Sequence, residues 1–317
     1  MTDSSTRGKL FLVGIGPGGE AHMTARAREA IATADTLIGH ATYLRLVADL
    51  VTDQEVVRSS MTEELDRAVM AVELAQAGRT VALISSGDSG VYGMAGLTYE
   101  VLFQSGWTPE TGFPVEMVPG VTALASCAAL VGAPLSHDFC AISLSDLLTP
   151  WPVIARRLNA AAAADFVVAL YNPKSGRRAR QIVEAQRLFL CHRHPETPVA
   201  LVQSAYRPRQ RLELTTLAEL DRREVSMLTT VLIGNSQTRI EHGLLITPRG
   251  YTNKYDLRGR TTVDGERGGH SLSSGLDGWL ATIRAGGESA AELAQRYGLP
   301  EDYIAAVLAC ADAAIED

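Results

Sequence analysis

Five short runs rich in β-branched residues, at 10–15, 36–39, 55–58, 80–85 and 115–118, punctuate the first 118 residues of the chain. Each is apolar for too few residues to make a helix, and stretches of helical periodicity lie between them at 24–34, 62–77 and 95–104. Ser60, with Glu63 three residues on, opens the second stretch as a capping box, and Gly78 closes it. Strands alternating with helices in this way predict a mostly parallel sheet covered on both faces, since a parallel neighbour is reached only by a crossover.

A second alternation follows Pro119-Gly120. Helical patterns at 122–130, 152–164 and 177–191 are interleaved with strand-like runs at 141–144, 166–171, 198–204 and 227–234. At 317 residues with 46% hydrophobic content, the chain can fill two cores. The expected organisation is an α/β domain over 1–118, a second over 119–255, a Gly-, Ser- and Arg-rich linker over 256–278, and short helices over 279–317.

A formal net charge of −7 leaves no dominant basic face, so general attraction to nucleic acid or to an anionic membrane is not expected. An anionic small substrate would need local arginines and lysines. The cysteines Cys127, Cys140, Cys191 and Cys310 are scattered without a CxxC pair, which argues against a metal site and for reduced thiols in the cytoplasm. The opening stretch MTDSSTRGK has no apolar core after a basic run and no apolar run reaches eighteen residues, so neither export nor a membrane span is expected.

The first strand runs into Gly14-Ile15-Gly16-Pro17-Gly18-Gly19, which formally satisfies GxGxxG. A dinucleotide site needs backbone N–H groups for pyrophosphate, and Pro17 removes one. It also needs an acidic residue at the end of the second strand, where Gly39-His40 stands instead. The loop therefore reads as a dinucleotide loop only weakly; a structural turn or a loop against another ligand are the alternatives.

A second glycine cluster, Ser86-Gly87-Asp88-Ser89-Gly90-Val91-Tyr92-Gly93, ends the fourth strand, at the edge of a parallel sheet where α/β folds bind ligands. Asp88 there is either an acceptor for a ligand's amine or ribose hydroxyls, or a turn aspartate.

These two loops, with Val118-Pro119-Gly120-Val121-Thr122-Ala123, resemble the class III methyltransferases that act on porphyrins and corrins, over roughly residues 9–252. Three longer motifs point to the branch that methylates carbon 17 of precorrins: Ser143-Leu144-Ser145-Asp146-Leu147-Leu148-Thr149-Pro150-Trp151, Ala169-Leu170-Tyr171-Asn172-Pro173-Lys174-Ser175, and 227–236. The resemblance implies the tetrapyrrole methylase fold, two α/β domains with a cofactor cleft between them, a homodimer, and S-adenosylmethionine as cofactor. It sets Pro17, Ser86, Gly87, Asp88, Val91, Thr122, Ala123, Leu170 and Ala205 around that cofactor. A donor without phosphates suits a proline-interrupted loop.

For this branch the resemblance further implies methylation of precorrin-3B at carbon 17 with ring contraction to precorrin-4, in cobalamin biosynthesis. The alternatives are the cobalt-bearing substrate of the anaerobic route, an NAD(P)-dependent oxidoreductase and an idle corrin carrier. Methyl transfer rests on alignment; contraction needs a proton acceptor and charge-steadying donors. His40 matches an aspartate of a siroheme-forming relative and is one candidate base, with substrate contact or a structural role as alternatives. Ser60 and Tyr43 are next in line, and Ser59 faces the substrate by resemblance. Arg45, Arg58, Lys174 and Arg207, the last in a run extending to Arg211, are candidate forks for precorrin carboxylates, or solvated surface charges.

The tail resembles small helix-turn-helix units, but its few positive charges and many acids favour docking over DNA.

Overall fold

The computed structural model describes residues 8–60, 63–176, 179–274 and 278–310. The chain divides into two units, Met1–Pro248 and Arg249–Asp317.

The first half of the larger unit contains β1 (Lys9–Gly14), α1 (Ala25–Thr33), β2 (Thr36–His40), α2 (Ala41–Arg45), β3 (Glu55–Ser59), α3 (Glu64–Gln76), β4 (Thr80–Ser85), α4 (Ala95–Gln104) and β5 (Val115–Val118). The strands lie in the order β3-β2-β4-β1-β5, every pairing parallel. Along β1 the side chains alternate between two cores: Phe11 and Val13 join Ile31, Leu37 and Ile84 on one face, while Leu10 and Leu12 join Ile38, Leu83 and Leu102 on the other. A strand buried on both faces is continuously apolar, which is why these runs carry no polar alternation.

The second half contains α5 (Ala123–Val131), β6 (Gly132–Ala133), β7 (Phe139–Ser143), α6 (Trp151–Ala163), β8 (Val167–Tyr171), α7 (Arg180–Leu190), β9 (Pro198–Gln203), β10 (Arg211–Thr216), β11 (Thr229–Ile233), β12 (Arg239–Glu241) and β13 (Leu244–Ile246). Its main sheet runs β10-β9-β11-β8-β7, and only β7 and β8 pair in parallel. The reason is local: residues 204–210 return β10 directly alongside β9 as a hairpin, with no helix to carry a parallel crossover. Arg211, expected among the substrate arginines, is the first residue of β10 and its side chain faces Glu224.

Observed elements lie within about two residues of most expected positions. Residues 62, 177 and 178 of two expected helices lie outside the described residues. In the smaller unit, β14 (Tyr255–Asp256) pairs with β15 (Thr261–Thr262), so a hairpin spans the boundary expected at 255. Three helices follow, α8 (Trp279–Ala285), α9 (Ala290–Tyr297) and α10 (Glu301–Cys310), with Leu293 and Ile304 buried. Ser289 and Glu292 close a reciprocal capping box on α9, and Gly298 ends it in the left-handed conformation. The last residues of the third expected helix, 311–314, lie outside the described residues.

Candidate active site

Three loops leave the C-terminal ends of β1, β4 and β5 and meet backbone to backbone. Gly16 and Gly87 form an antiparallel bridge, with N–H to carbonyl distances of 3.0 and 2.7 Å. A Cβ on Gly120 would stand 2.1 Å from the Gly87 carbonyl oxygen, and one on Gly14 would stand 2.8 Å from the Gly120 nitrogen. The glycines therefore let three chain segments touch, a packing role that no pyrophosphate is needed to explain.

Asp88 locks that junction. Its Oδ1 accepts from the Gly90 N–H at 2.8 Å, forming a turn, and its Oδ2 accepts from the Gly120 N–H at 2.9 Å. The turn role and the ligand-facing role are both open to it, because the half-buried carboxylate also lines a cleft. Ser89 is buried beside it and donates to the Leu12 carbonyl at 3.1 Å.

This cleft encloses about 860 Å³, its open mouth included. Pro17, Ser86, Gly87, Asp88, Val91, Thr122, Ala123 and Ala205 all line it, and so do Tyr43 and Arg207. Leu170 does not. It is fully buried among Ile142, Leu158 and Val231, and strand alternation turns its neighbour Tyr171 to the cleft instead. The Tyr171 hydroxyl bonds Thr122 Oγ1 at 2.7 Å and accepts from the Leu124 N–H at 2.7 Å, fastening the end of β8 to the start of α5.

Tyr92, Asn172 and Ser204 also line the cleft, each in a left-handed conformation with φ of 53°, 51° and 51°. Residues so held cost on the order of 1–3 kcal/mol each and persist where the surroundings over-determine them. The Tyr92 hydroxyl donates to the Ala141 carbonyl at 3.0 Å, crossing from the first half to β7. Asn172 donates to Ser143 Oγ at 3.0 Å, so two of the long sequence motifs meet beside the cleft, and Met227 and Leu228 bring the third. Cys127 lies at its wall with burial pushing the thiol up to about 11, which makes it a poor nucleophile.

The expected base and substrate residues are arranged differently: Tyr43 lines the cleft, whereas His40, Ser59 and Ser60 do not. His40 is the N-cap of α2, its Nδ1 accepting from the Thr42 N–H at 3.2 Å. Burial first, then the charges of Arg67 and Arg45, hold its pKa below the usual 6.5. A neutral imidazole that accepts at Nδ1 carries its proton on Nε2, so the remaining nitrogen offers a donor and not the acceptor that a base requires. Tyr43, packed edge-on to His40 at 5.3 Å between ring centres, has its pKa raised by burial.

Ser59 accepts from Arg67 Nη1 at 2.9 Å, and the Ser60 carbonyl accepts from the same nitrogen. The Ser60 N–H donates to Glu63 Oε2 at 2.8 Å, one bond of the expected capping box, but α3 begins at Glu64 with Glu63 as its N-cap and no side-chain cap on it. Arg67 is itself buried on α3, reaching Met94 Sδ at 3.7 Å, and it escaped the sequence reading because a lone arginine in an amphipathic helix looks solvated. Arg45, Arg58 and Lys174 are exposed and do not line the cleft. Arg45 folds back onto the Ala41 carbonyl at 3.2 Å.

The chemistry of the donor set fits an adenosyl sulfonium. Pro17 withholds an N–H where a phosphate would want one, Val91, Ala123 and Ala205 offer apolar surface, and Asp88 offers carboxylate oxygens.

Comparison with known proteins bears on this cleft. The family model described as Tetrapyrrole (Corrin/Porphyrin) Methylases matches residues 9–221. A cobalt-factor III methyltransferase of Priestia megaterium is 58% identical over 251 residues, covering 79% of this chain and 46% of its own length. The chain thus spans about half of that relative. A precorrin-3B C(17)-methyltransferase of a Sinorhizobium species is 44% identical, covering 77% of this chain and 97% of that protein. Among solved structures, the methyltransferase CobJ superposes with a TM-score of 0.68 at 35% identity, over 77% of this chain and 100% of that one. A uroporphyrin-III C-methyl transferase from Thermus thermophilus, solved with S-adenosylhomocysteine, gives 0.58 at 26% identity, over 71% of this chain and 97% of that one.

Proposed function

Because the chain belongs to the tetrapyrrole methylase family, we propose that it transfers a methyl group from S-adenosylmethionine to carbon 17 of a precorrin-3B-type macrocycle and contracts the ring, in cobalamin biosynthesis. The observation that carries this reading is the junction of three glycine loops locked by Asp88 at the wall of a cleft between two α/β halves. It supports a phosphate-free ligand and works against a dinucleotide. The Sinorhizobium relative, matched over nearly its whole length, supports carbon 17 as the position.

S-adenosylmethionine, when bound, supplies the electrophilic methyl. The chain's part in that step is alignment: Tyr171 fixes the hinge through Thr122 and Leu124, and Tyr92 ties the glycine loop to β7. For contraction, His40 Nε2 is the donor that steadies developing negative charge on a departing oxygen. Tyr43 and Ser60 are the remaining proton-handling candidates, and exposed Arg45 and Arg58 meet carboxylate side chains only if the macrocycle overhangs the rim.

The cobalt-bearing substrate is the second reading, favoured by the 58% identity to a cobalt-factor III methyltransferase. No helix of the described residues is long and apolar enough to cross a membrane; a cytoplasmic homodimer is part of the proposal. Incubation with metal-free precorrin-3B and with cobalt-factor III, each with methyl-labelled cofactor, tests it by mass analysis of the products. Label in neither macrocycle would end the proposal.

A further inference from the structure

Arg207 stands on the loop after β9 and reaches both glycine loops of the first half. Its Nε donates to the Pro17 carbonyl at 2.6 Å and its Nη2 donates to Ser86 Oγ at 2.8 Å. Its stem fills the space where a Cβ on Gly18 would fall, 2.7 Å from Arg207 Cγ. Nη1 has no hydrogen-bond acceptor among the described residues, and no carboxylate there pairs with the guanidinium.

A guanidinium drawn out of water onto neutral partners alone is costly, and burial lowers its pKa accordingly. A chain with a formal charge of −7 supplies no broad attraction for an anion, so a cation in the cleft wall is a local device. Two of its nitrogens are already fixed by Pro17 and Ser86, so little rotamer freedom remains to be lost when a further acceptor arrives. Flexible acetate and propionate arms of a macrocycle can be met at an open rim. An arginine pinned between the two loops that the sequence associates with the methyl donor is placed for a shorter, fixed anion.

We propose that Arg207 is the cofactor-specificity residue of this cleft, its Nη1 donating to the α-carboxylate of the amino-acid portion of the methyl donor, and not a fork for the macrocycle. This rests on the S-adenosylmethionine reading above. It makes the second half of the fold a reader of the ligand's charge through a contact that also holds the halves together.

Calorimetry on the full chain compares S-adenosylhomocysteine with its decarboxylated analogue S-adenosyl-3-thiopropylamine, which differs only in lacking the carboxylate. The wild type is expected to prefer S-adenosylhomocysteine by about 10- to 100-fold, the range of a charge-assisted hydrogen bond. Arg207→Met should remove that preference, with the decarboxylated compound changing less than about threefold, and Arg207→Lys should restore part of it. Equal weakening of both ligands in Arg207→Met, or unchanged S-adenosylhomocysteine affinity, would overturn the assignment. Should Arg207→Met not fold, a wild-type preference near unity overturns it alone, and a preference that Arg207→Lys narrows supports it. Binding of neither compound to the wild type would remove the cofactor reading and this inference with it.

Discussion

Asp88 Oδ2 accepts the Gly120 N–H at 2.9 Å, so a carboxylate from the loop after β4 holds the loop after β5. Its other oxygen is engaged by Gly90 at 2.8 Å. Asp88→Ala removes both bonds and is expected to cost about 1–3 kcal/mol in urea unfolding, and to weaken S-adenosylhomocysteine binding by at least ~1.5 kcal/mol. Asp88→Asn should do little better, because its amide sets an NH₂ against one of the two N–H donors. Unchanged calorimetric affinity in Asp88→Ala would take Asp88 out of the site.

Gly120 and Gly96 should respond to alanine with opposite signs. At Gly120 the new Cβ would fall 2.1 Å from the Gly87 carbonyl oxygen, against backbone that cannot rotate away, and a loss of at least ~2 kcal/mol is expected. At Gly96, inside α4, nothing lies within 4 Å of a new Cβ, and alanine should stabilise by up to about 1 kcal/mol. Paired urea melts decide it; a tolerated Gly120→Ala would mean that the three loops do not need their contact.

The glycine loops show what the sequence could and could not say. Alternating strands and helices in the first half were legible because periodicity reports burial directly, and β4, α4 and β5 fall where it puts them. The glycines after β1 were legible as a tight place, yet their reason, contact with Gly87 and Gly120, is a long-range relation that no local pattern encodes. Leu170 failed differently: the motif locates the strand end, but only the register of β8 decides that Tyr171 and not Leu170 meets the cleft. The hairpin return of β10 and the burial of Arg67 have no sequence signature, since both depend on what packs against them.

His40 gives a pH dependence whose sign is fixed. Its folded pKa lies below the unfolded 6.5, so folding disfavours the protonated ring; the effect is absent above about pH 6.5 and costs stability as pH falls through the folded value. Arg45, exposed and bonded only to its own helix, is one cause of the shift. Arg45→Gln should move the His40 pKa upward with little change in stability near pH 8, as followed by ring-proton NMR. A pKa that stays put would assign the shift to burial and Arg67 alone.

The larger unit should stand alone. Residues 249–317 form a separate unit with its own buried Leu293 and Ile304, and a cut at 248 spares the β14–β15 hairpin that a cut at 256 would split. The fragment 1–248 is expected to express solubly, bind S-adenosylhomocysteine within about threefold of the full chain, and melt within the 2–4 °C that about 1 kcal/mol shifts a domain of this size. Insoluble expression or lost binding would make the tail integral to the fold.

His40 holds two jobs that one pair of substitutions can separate. As N-cap of α2 it accepts the Thr42 N–H, and as a neutral imidazole it presents Nε2–H beyond the helix. His40→Ala loses both, so about 1 kcal/mol of stability should go with the cap. Contraction should slow by about 10² to 10³, the usual loss for one charge-steadying donor, while methyl transfer, which depends on alignment, continues. His40→Asn keeps a side-chain oxygen for Thr42 and should recover the stability without recovering contraction, because its shorter amide no longer sets a donor where Nε2–H stands. A methylated, uncontracted macrocycle should accumulate in both variants. If His40→Asn contracts the ring at the wild-type rate, the imidazole is a cap and nothing more, and Tyr43 and Ser60 become the groups to change.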